Sequence, residues 1–540
     1  MSSITAALRT AQSGLLVNQS ALNATANNIT NVNTPGYSRQ IVQFQQRVVA
    51  GVGAGVEIGD IIRSVDEGLL KSVRLELSQT STLSSQATFY DRVQDLFGEP
   101  EDNNSISHIM AEFAASLEAL ATTPESTLEM SDVVRQAENI TNRLQDMTET
   151  IQELRVQADR SISEGVDEIN KLINDINQLN NDIVANSTSN RGTTDLRDLR
   201  DKALDRLSEL MDIRFFLRSD GDVVIFTSSG RTLLDNLPVT LTHSPASTLS
   251  ATSTHAEGDI SGIFAGDKIA ANDLTDVLRE GTLHGLVTIR DSVLTNLQSQ
   301  LDEFAAELRD AVNQIHNRGM PFPGLTQMTG TRQFIDTATQ TIKLDPANGA
   351  DDVKIALLDN SGDQSAVTTL NTIMVAATFS DRGSGDDWTI DAVAATMQTW
   401  LQANGAATAT VDVSTGQMVI NLNSTTLNLS FRDQTGSTNG DTAEDAVISF
   451  DVNGDGVEDE SVNGFSNFFA LNDFFIDNRV DNLFESNVLV SSFTVSAATL
   501  TFTDSTGALD VNGAPGSLAV AAGTTLQDLA IQITNSVENV

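Results

Sequence analysis

Nine residues, Asp451-Val-Asn453-Gly-Asp455-Gly456-Val-Glu458-Asp459, put oxygen-bearing side chains at places one, three, five and nine, with glycine at six. Hard divalent cations take oxygen ligands in that order at the front of a calcium loop, so Asp451, Asn453, Asp455 and Asp459 are candidate calcium ligands. The twelfth place, where a bidentate glutamate would close the cage, is Val462, and Ala446 to Phe450 ahead of the loop reads as a strand. The competing reading is a hairpin turn, because turns select the same Asp, Asn and Gly. A second pair, Asn313 and His316, stands one helical turn apart without a nucleophile or ligand cluster nearby, and a helix C-cap is the preferred reading. The sequence has no Gly-rich phosphate loop, no His-Glu-x-x-His and no Gly-x-Ser-x-Gly, and its five histidines (108, 243, 255, 284, 316) are scattered. A histidine-based site would need remote convergence. No catalytic residue is assigned, no cofactor other than calcium is expected, and the chain is not expected to be an enzyme.

Composition narrows the classes further. At 540 residues the chain exceeds a single core. A net charge of −42 repels phosphate backbones and anionic membrane surfaces, so nucleic acid is not an expected partner. The absence of cysteine removes disulfides, thiolate nucleophiles and cysteine-based metal sites together. No stretch approaches 18 apolar residues, so membrane insertion is not expected. No basic n-region precedes an apolar h-region, so export would have to proceed without a cleavable signal peptide.

The elements follow from periodicity. Leu8, Leu15, Leu22 and Ile29 recur seven apart, with Ile4, Ala11, Asn18 and Thr25 between them, which predicts one helix over Ser3 to Thr30 with an a/d seam. Such a rod has a single apolar stripe and no core, so it needs partner helices. Residues 41–60 alternate as a hairpin, and helical spacing returns from Ile61 to Phe97 and from Ile106 to Ala121. The longest helical signal runs from Met130 to Ala185, on Ala137, Leu144, Ile151 and Ala158 with Ile140, Met147 and Leu154. It slips by one residue near Gly165, then resumes on Ile162, Val166, Ile169, Ile173, Ile176 and Ile183. That seam predicts coiled-coil-like packing, against an amphipathic helix in a globular core. A helix over Asp195 to Met211, strands over 213–242 and a glycine-led helix from Gly281 to His316 follow.

From about residue 331 the chain turns rich in Thr, Asp, Gly and Asn, with short alternating segments and helix expected only over Ile390 to Gln402. Phe468-Phe469-Ala-Leu471-Asn472-Asp473-Phe474-Phe475, with Phe465, is the densest aromatic cluster and is expected to be core that anchors a return crossing. The fold class is therefore α+β multidomain: a long helical coiled-coil-like bundle with β-rich outer domains. Its expected parts are an axial helix (1–34), a mainly helical domain with hairpins (35–330), a β-rich outer domain (331–465), a Phe-rich return segment (466–490) and a small β/α insertion module (491–540).

Ordered strings in this sequence resemble those of a known family. Ser13-Gly14-Leu15, Leu22, Asn27-Asn28-Ile29, Asn31, Asn33-Thr34 and Gly36-Tyr37 resemble the N-terminal signature of bacterial flagellar axial proteins, and Tyr37-Ser38-Arg39-Gln40 resembles the hook-associated proteins of the hook–filament junction. Gly281, Leu283, Gly285-Leu286, Arg290-Asp291, Asn313 and His316 match that family's pattern, as does the Phe-rich motif, and the strand-turn repeats after 493 resemble its small insertion modules. The resemblance implies a structural subunit of the extracellular flagellum, exported by the flagellar type III pathway and self-associating into a ring through terminal helices. It implies the hook protein and a second junction protein as neighbours, and an export chaperone acting through a C-terminal helix. The family pattern ends in a long heptad helix that is not seen after residue 475, so the expectation is that a mate for the first helix is missing here and that the segment before Thr34 packs poorly in isolation. Two alternatives stand: a hook or distal-rod protein, and a secreted surface protein with adhesive or carbohydrate-active β modules.

Overall fold

The computed structural model of the chain describes residues 3–49, 52–98, 103–188, 192–344, 352–376, 387–435, 444–454 and 456–476, and between 494 and 529 mainly paired strand residues. Asp455, residues 477–490 of the expected return segment and all but residue 529 of the last fifteen residues of the expected insertion module lie outside them. The chain divides into two compact units, Met1–Phe304 and Ala305–Val540.

In the first unit, α1 (Ser3–Thr30) is followed by β1 (Gln40–Val49) and β2 (Val52–Arg63), an antiparallel hairpin that pairs Gln40 with Arg63. The helix expected from Ile61 is corrected here: Ile61 and Ile62 finish β2, and α2 (Glu67–Phe97) begins only after Asp66. The spacing of Ile61, Ile62 and Val65 suits either element. Asp66 decides between them, because its carboxylate accepts the N–H of Gly68 and Leu69 (2.9 and 3.1 Å) and so starts the helix. Next come α3 (Ile106–Thr122), α4 (Thr127–Thr188) and α5 (Thr194–Leu210), then a meander of β3 (Ile213–Leu217), β4 (Val223–Thr227) and β5 (Thr232–Leu234), and a short pair of β6 (Leu241–Thr242) and β7 (Phe264–Ala265). The single helix expected from Gly281 is in fact three pieces: α6 (Thr282–Thr288), a π-helical turn (Ile289–Val293) and α7 (Leu294–His316).

The spine of this unit is α4, about 90 Å long at the usual rise. Its predicted stripe is buried from Ala137 through Ile140, Met147, Ile151, Leu154, Ile162, Ile169 and Ile176 to Ile183, and only Leu144 is partly open. The covering is a relay of α3, α5, α6 and β6, not one helix of equal length. The phase slip at Gly165 has a local cause. A Cβ there would stand 2.7 Å from Leu283 Cδ2, so the missing side chain is the socket into which α6 inserts Leu283. Gly281 (φ 99°) is under similar pressure, since a Cβ would meet Leu210 O at 2.6 Å.

A buried charge network ties the π-helical turn to α4. Arg290 Nη1 donates to Asp159 Oδ1 (2.6 Å), His243 Nε2 lies 3.0 Å from the same oxygen, and Ala246 N donates to Asp159 Oδ2 (2.7 Å). Arg155 donates to the carbonyls of Arg290, Ser250, Ala251 and Ser253. Burial alone would raise the Asp159 carboxyl, but the bonds from His243, Ala246 and Arg290 together hold it below its ordinary value.

The second unit contains β8 (Gln327–Thr329), β9 (Thr341–Leu344), β10 (Lys354–Asp359), β11 (Gln364–Thr369), α8 (Leu370–Ala376), β12 (Trp388–Thr389), α9 (Ile390–Ala403), β13 (Thr410–Asp412), β14 (Val419–Asn421), β15 (Leu427–Arg432), β16 (Gln434–Thr435), β17 (Glu444–Asp445), β18 (Val447–Asp451), β19 (Glu460–Asn463) and α10 (Phe465–Phe468). Three small sheets, ordered β11-β10-β15, β12-β9-β18-β19 and β13-β14-β8, enclose one core with α9. The expectation of a single helix here misses α8, whose Leu370, Ile373 and Met374 face that core. Further on, β20 (Thr494–Val495), β21 (Ala498–Thr501), β22 (Thr503–Asp504), β23 (Gly507–Ala508), β24 (Asp510–Val511), β25 (Ala514–Pro515), β26 (Ser517–Val520) and β27 (Thr524–Thr525) pair antiparallel, β20 with β27 and β21 with β26.

Candidate functional site

Among the described residues of the first unit, the stripe on α1 is an exposed apolar row. Leu8, Leu15, Leu22 and Ile29 are each 68–71% exposed, and Ile4 is more so. The opposite face holds the helix in place: Val17 and Ala24, each 6% exposed, turn inward where α1 lies on the β1–β2 hairpin. At one turn per 3.6 residues Val17 stands about 180° from Leu8, so the two faces do not compete. The crossing is close, because a Cβ on Gly55 of β2 would lie 2.2 Å from Ser13 Oγ, which accepts Val56 N–H at 3.2 Å. The expectation that the first segment packs poorly agrees with the open stripe, but the segment is not without structure: α1 is a formed helix that rests on the hairpin through Val17 and Ala24.

The Asn-rich string is a clamp at the end of that helix. Asn28 Nδ2 donates to Gln40 O, Gln40 N donates to Asn28 Oδ1, and the Tyr37 hydroxyl donates to the same Oδ1, all at 2.9 Å. One side-chain amide therefore pairs with the backbone at the start of β1 as a neighbouring strand would. Asn27 O accepts both the backbone N–H and the side chain of Asn31 at 3.0 Å, Asn31 Oδ1 accepts Thr34 Oγ1, and Thr34 O accepts Tyr37 N. Gly36 takes φ 82° within this turn. Asn33 and Arg39 present exposed side chains, while the Arg39 carbonyl accepts Ser64 N.

The clamp is itself held by α5. Ser38 N donates to Asp198 Oδ2 (2.9 Å), Gln40 Nε2 to Asp195 Oδ1 (2.8 Å), and Arg63 Nη1 to Asp198 and Asp201 (2.7 and 2.6 Å). Burial, with the Asp195 and Asp198 charges, raises the Tyr37 phenol above its ordinary value. Sequence reasoning missed these acids. Their signal is the ladder Asp195, Asp198, Asp201, Asp205 on one face of α5.

In the second unit the Phe-rich motif forms a second clamp. Phe465, Phe468 and Phe469 are fully buried with ring centroids 4.7–4.8 Å apart along the chain of contacts, and the Arg332 guanidinium lies 4.3 Å over Phe468. Asn313 was expected to cap its own helix. Instead its Oδ1 accepts the N–H of Phe474 and Phe475 (2.9 and 2.8 Å), and its Nδ2 donates to Phe475 O (2.7 Å). His316 Nδ1 lies 2.7 Å from Asn472 O, and its ring lies against Phe474. Asn317, which sequence reasoning passed over, accepts Asn472 N and donates to Asp473 Oδ1, whose other oxygen accepts Thr331 Oγ1. The C-cap reading of Asn313 and His316 is therefore corrected: they hold the turn after α10, and Leu471 is buried beneath it.

In the loop between β18 and β19, Asp451 Oδ1 accepts Asn453 N and Gly454 N, and its Oδ2 accepts Gly456 N at 2.7 Å. Asp459 Oδ2 accepts Val452 N. Among the described residues no three Asp, Glu or His side chains converge as a metal cage would require.

Comparison with known proteins shows what the chain resembles. Residues 90–334 match the model described as the flagellar hook-associated protein FlgK helical domain, and residues 8–37 match that of the flagella basal body rod protein. Flagellar hook-associated protein 1 of Salmonella typhimurium is 26% identical over 323 residues, covering 58% of this chain and 57% of that protein. Its counterpart in Bacillus subtilis is 24% identical over 395 residues, covering 67% and 76%. The structure of the flagellar hook junction protein FlgK from Burkholderia pseudomallei aligns over 84% of this chain and 79% of its own at 16% identity, with a TM-score of 0.41. The chain thus spans a little over half the length of the Salmonella relative. Residues 90–334 are thus similar to the helical domain of flagellar hook-associated proteins, and residues 8–37 to flagellar rod proteins.

Proposed function

We propose that this chain is a structural subunit of the bacterial flagellum that joins hook to filament by assembling through α1 with neighbouring copies in a ring. The observation that carries this is the outward heptad stripe. An aliphatic row left in water on an otherwise seated helix has its partner outside the described chain. The hook protein on one side and a second junction protein on the other are the neighbours this role requires. The subunit works outside the cell after export without a cleavable signal, guided by a chaperone at a C-terminal helix. No helix among the described residues is long and apolar enough to cross a membrane. The role is architectural, not catalytic. We read the Asp451–Asp459 loop as a turn, since both Asp451 oxygens are already engaged by backbone N–H groups; heat on adding millimolar calcium to the chain would overturn that.

The test of the main reading is genetic. Deletion is expected to leave hooks without filaments, and the native gene restores swimming. A gene carrying Leu15→Asp and Leu22→Asp is expected to yield a folded, exported subunit that does not restore filaments. Restoration by that variant would exclude the stripe as the assembly surface.

A further inference from the structure

Next to the clamp, α2, α5 and β3 enclose a cavity of about 30 Å³. That is room for about two waters or one small ion, and excludes a nucleotide or a sugar. Four arginines line it: Arg63, Arg74, Arg197 and Arg200. Arg63 is spent on Asp198 and Asp201, and Arg74 on Asp205 and Asp201. Arg200, 3% exposed, donates through Nη1 to Asn180 Oδ1 (2.9 Å) and Gly221 O (2.7 Å).

Two donors are left over. The Nε of Arg200 and the Nε of Arg197 are both buried and bonded to nothing. Among the described residues no carboxylate forms an ion pair with Arg197. Of the acids lining the cavity, Asp201 is committed twice and Glu67 is solvent-exposed. The two guanidiniums repel each other: burial first, then the charges of Arg197 and Arg63, bring Arg200 down to about 10 against the opposing pull of Asp201 and Asp222. Two arginines lining one void that each keep a buried, unbonded donor are unusual anywhere, and more so in a chain of net charge −42. Guanidinium forks of this kind match planar or tetrahedral oxyanions.

We propose that the cavity binds a small oxyanion, a carboxylate or a phosphate, on the Nε–H donors of Arg197 and Arg200. Two sources share that chemistry: a free ion, or the end of an acidic side chain reaching in from a neighbouring subunit.

Titration of the full chain with phosphate, sulfate and acetate against chloride, at constant ionic strength, tests this by calorimetry and by melting temperature. The expected result is saturable one-to-one binding that raises the melting temperature and weakens about tenfold or more, a loss of one strong contact, in Arg197→Gln. Arg197→Lys, which keeps the charge without the fork, is expected to fall between. Preference for phosphate identifies a free ion, and binding of acetate alone identifies a carboxylate from another chain. No saturable binding of any of the three anions, or full binding by Arg197→Gln, overturns the proposal. Should the variant fold poorly, the titrations of the unaltered chain still decide it.

Discussion

The helices α1 and α4 carry the same seven-residue rhythm and meet opposite fates. Along α4 the stripe is closed from Ala137 to Ile183 by elements of its own unit. Along α1 the stripe stays in water, and a different pair of residues, Val17 and Ala24, seats the helix. Periodicity therefore reports that a face will be buried, without saying by what. Burying one large aliphatic side chain is worth about 1.5–3 kcal/mol, so covering the four exposed positions of α1 would be worth roughly 6–12 kcal/mol at most.

This contrast is open to direct attack. The largest effect is expected from Ile162→Ala on α4, about 3–4 kcal/mol lost in urea unfolding of the isolated chain, while Leu15→Ala costs under about 0.5 kcal/mol there. Equal costs would erase the distinction between the two helices. Next is Asp159→Asn, which leaves buried Arg290 with Asp291 as its sole carboxylate partner and is expected to cost about 2 kcal/mol at neutral pH. The sign with pH is fixed by the lowered folded value of Asp159. Its contribution is present above the unfolded carboxylate value, near 3.9, and is lost as pH falls through the folded one. Unfolding at pH 7 and at pH 3 should thus differ more for the native chain than for Asp159→Asn. By contrast α1, whose one charged residue is Arg9, has no carboxylate of its own to respond.

Two smaller effects sharpen the picture of α1. Asn28→Ala removes the acceptor of the Gln40 amide, and exchange of that amide is expected to quicken about tenfold, for about 1–2 kcal/mol. Gly14 meets nothing within 4 Å. A mid-helix glycine with no neighbour is a local loss, so Gly14→Ala should stabilise the free chain by about 0.5–1 kcal/mol in urea unfolding. The same change should impair swimming if a neighbouring helix approaches there. Unimpaired swimming would place the contact elsewhere on the stripe.

What the sequence made legible is what repeats. Leu8 to Ile29, the α4 seam and the slip at Gly165 all leave a periodic trace, and the trace carries through to the helices observed. Strand and helix could not be separated at Ile61 and Ile62, because an apolar pair before Val65 satisfies both periods, and the Asp66 cap was too local a signal to set against them. The Thr-rich strand before α8 masked a helix of two turns. Least legible were the clamps. Asn28 was legible as part of a motif, but its bond to Gln40 spans 12 residues and those of Asn313 reach 162, with no period to betray them. Asn317 and Thr331 carried no signal at all, and for Asp195 and Asp198 the only hint was an acidic ladder that a solvated helix face would also show.

The clamp at Asn28 has a mechanical consequence. A helix gripped from outside along its stripe is loaded in torsion, and a load needs a path into the body it belongs to. For α1 that path is narrow: the seat of Val17 and Ala24, the Gly55 crossing, and three hydrogen bonds converging on one amide. Strengthening the stripe would only shift failure to this joint. A neighbour's twist would then reach α5 through that joint and the bonds of Ser38, Gln40 and Arg63 to Asp195, Asp198 and Asp201.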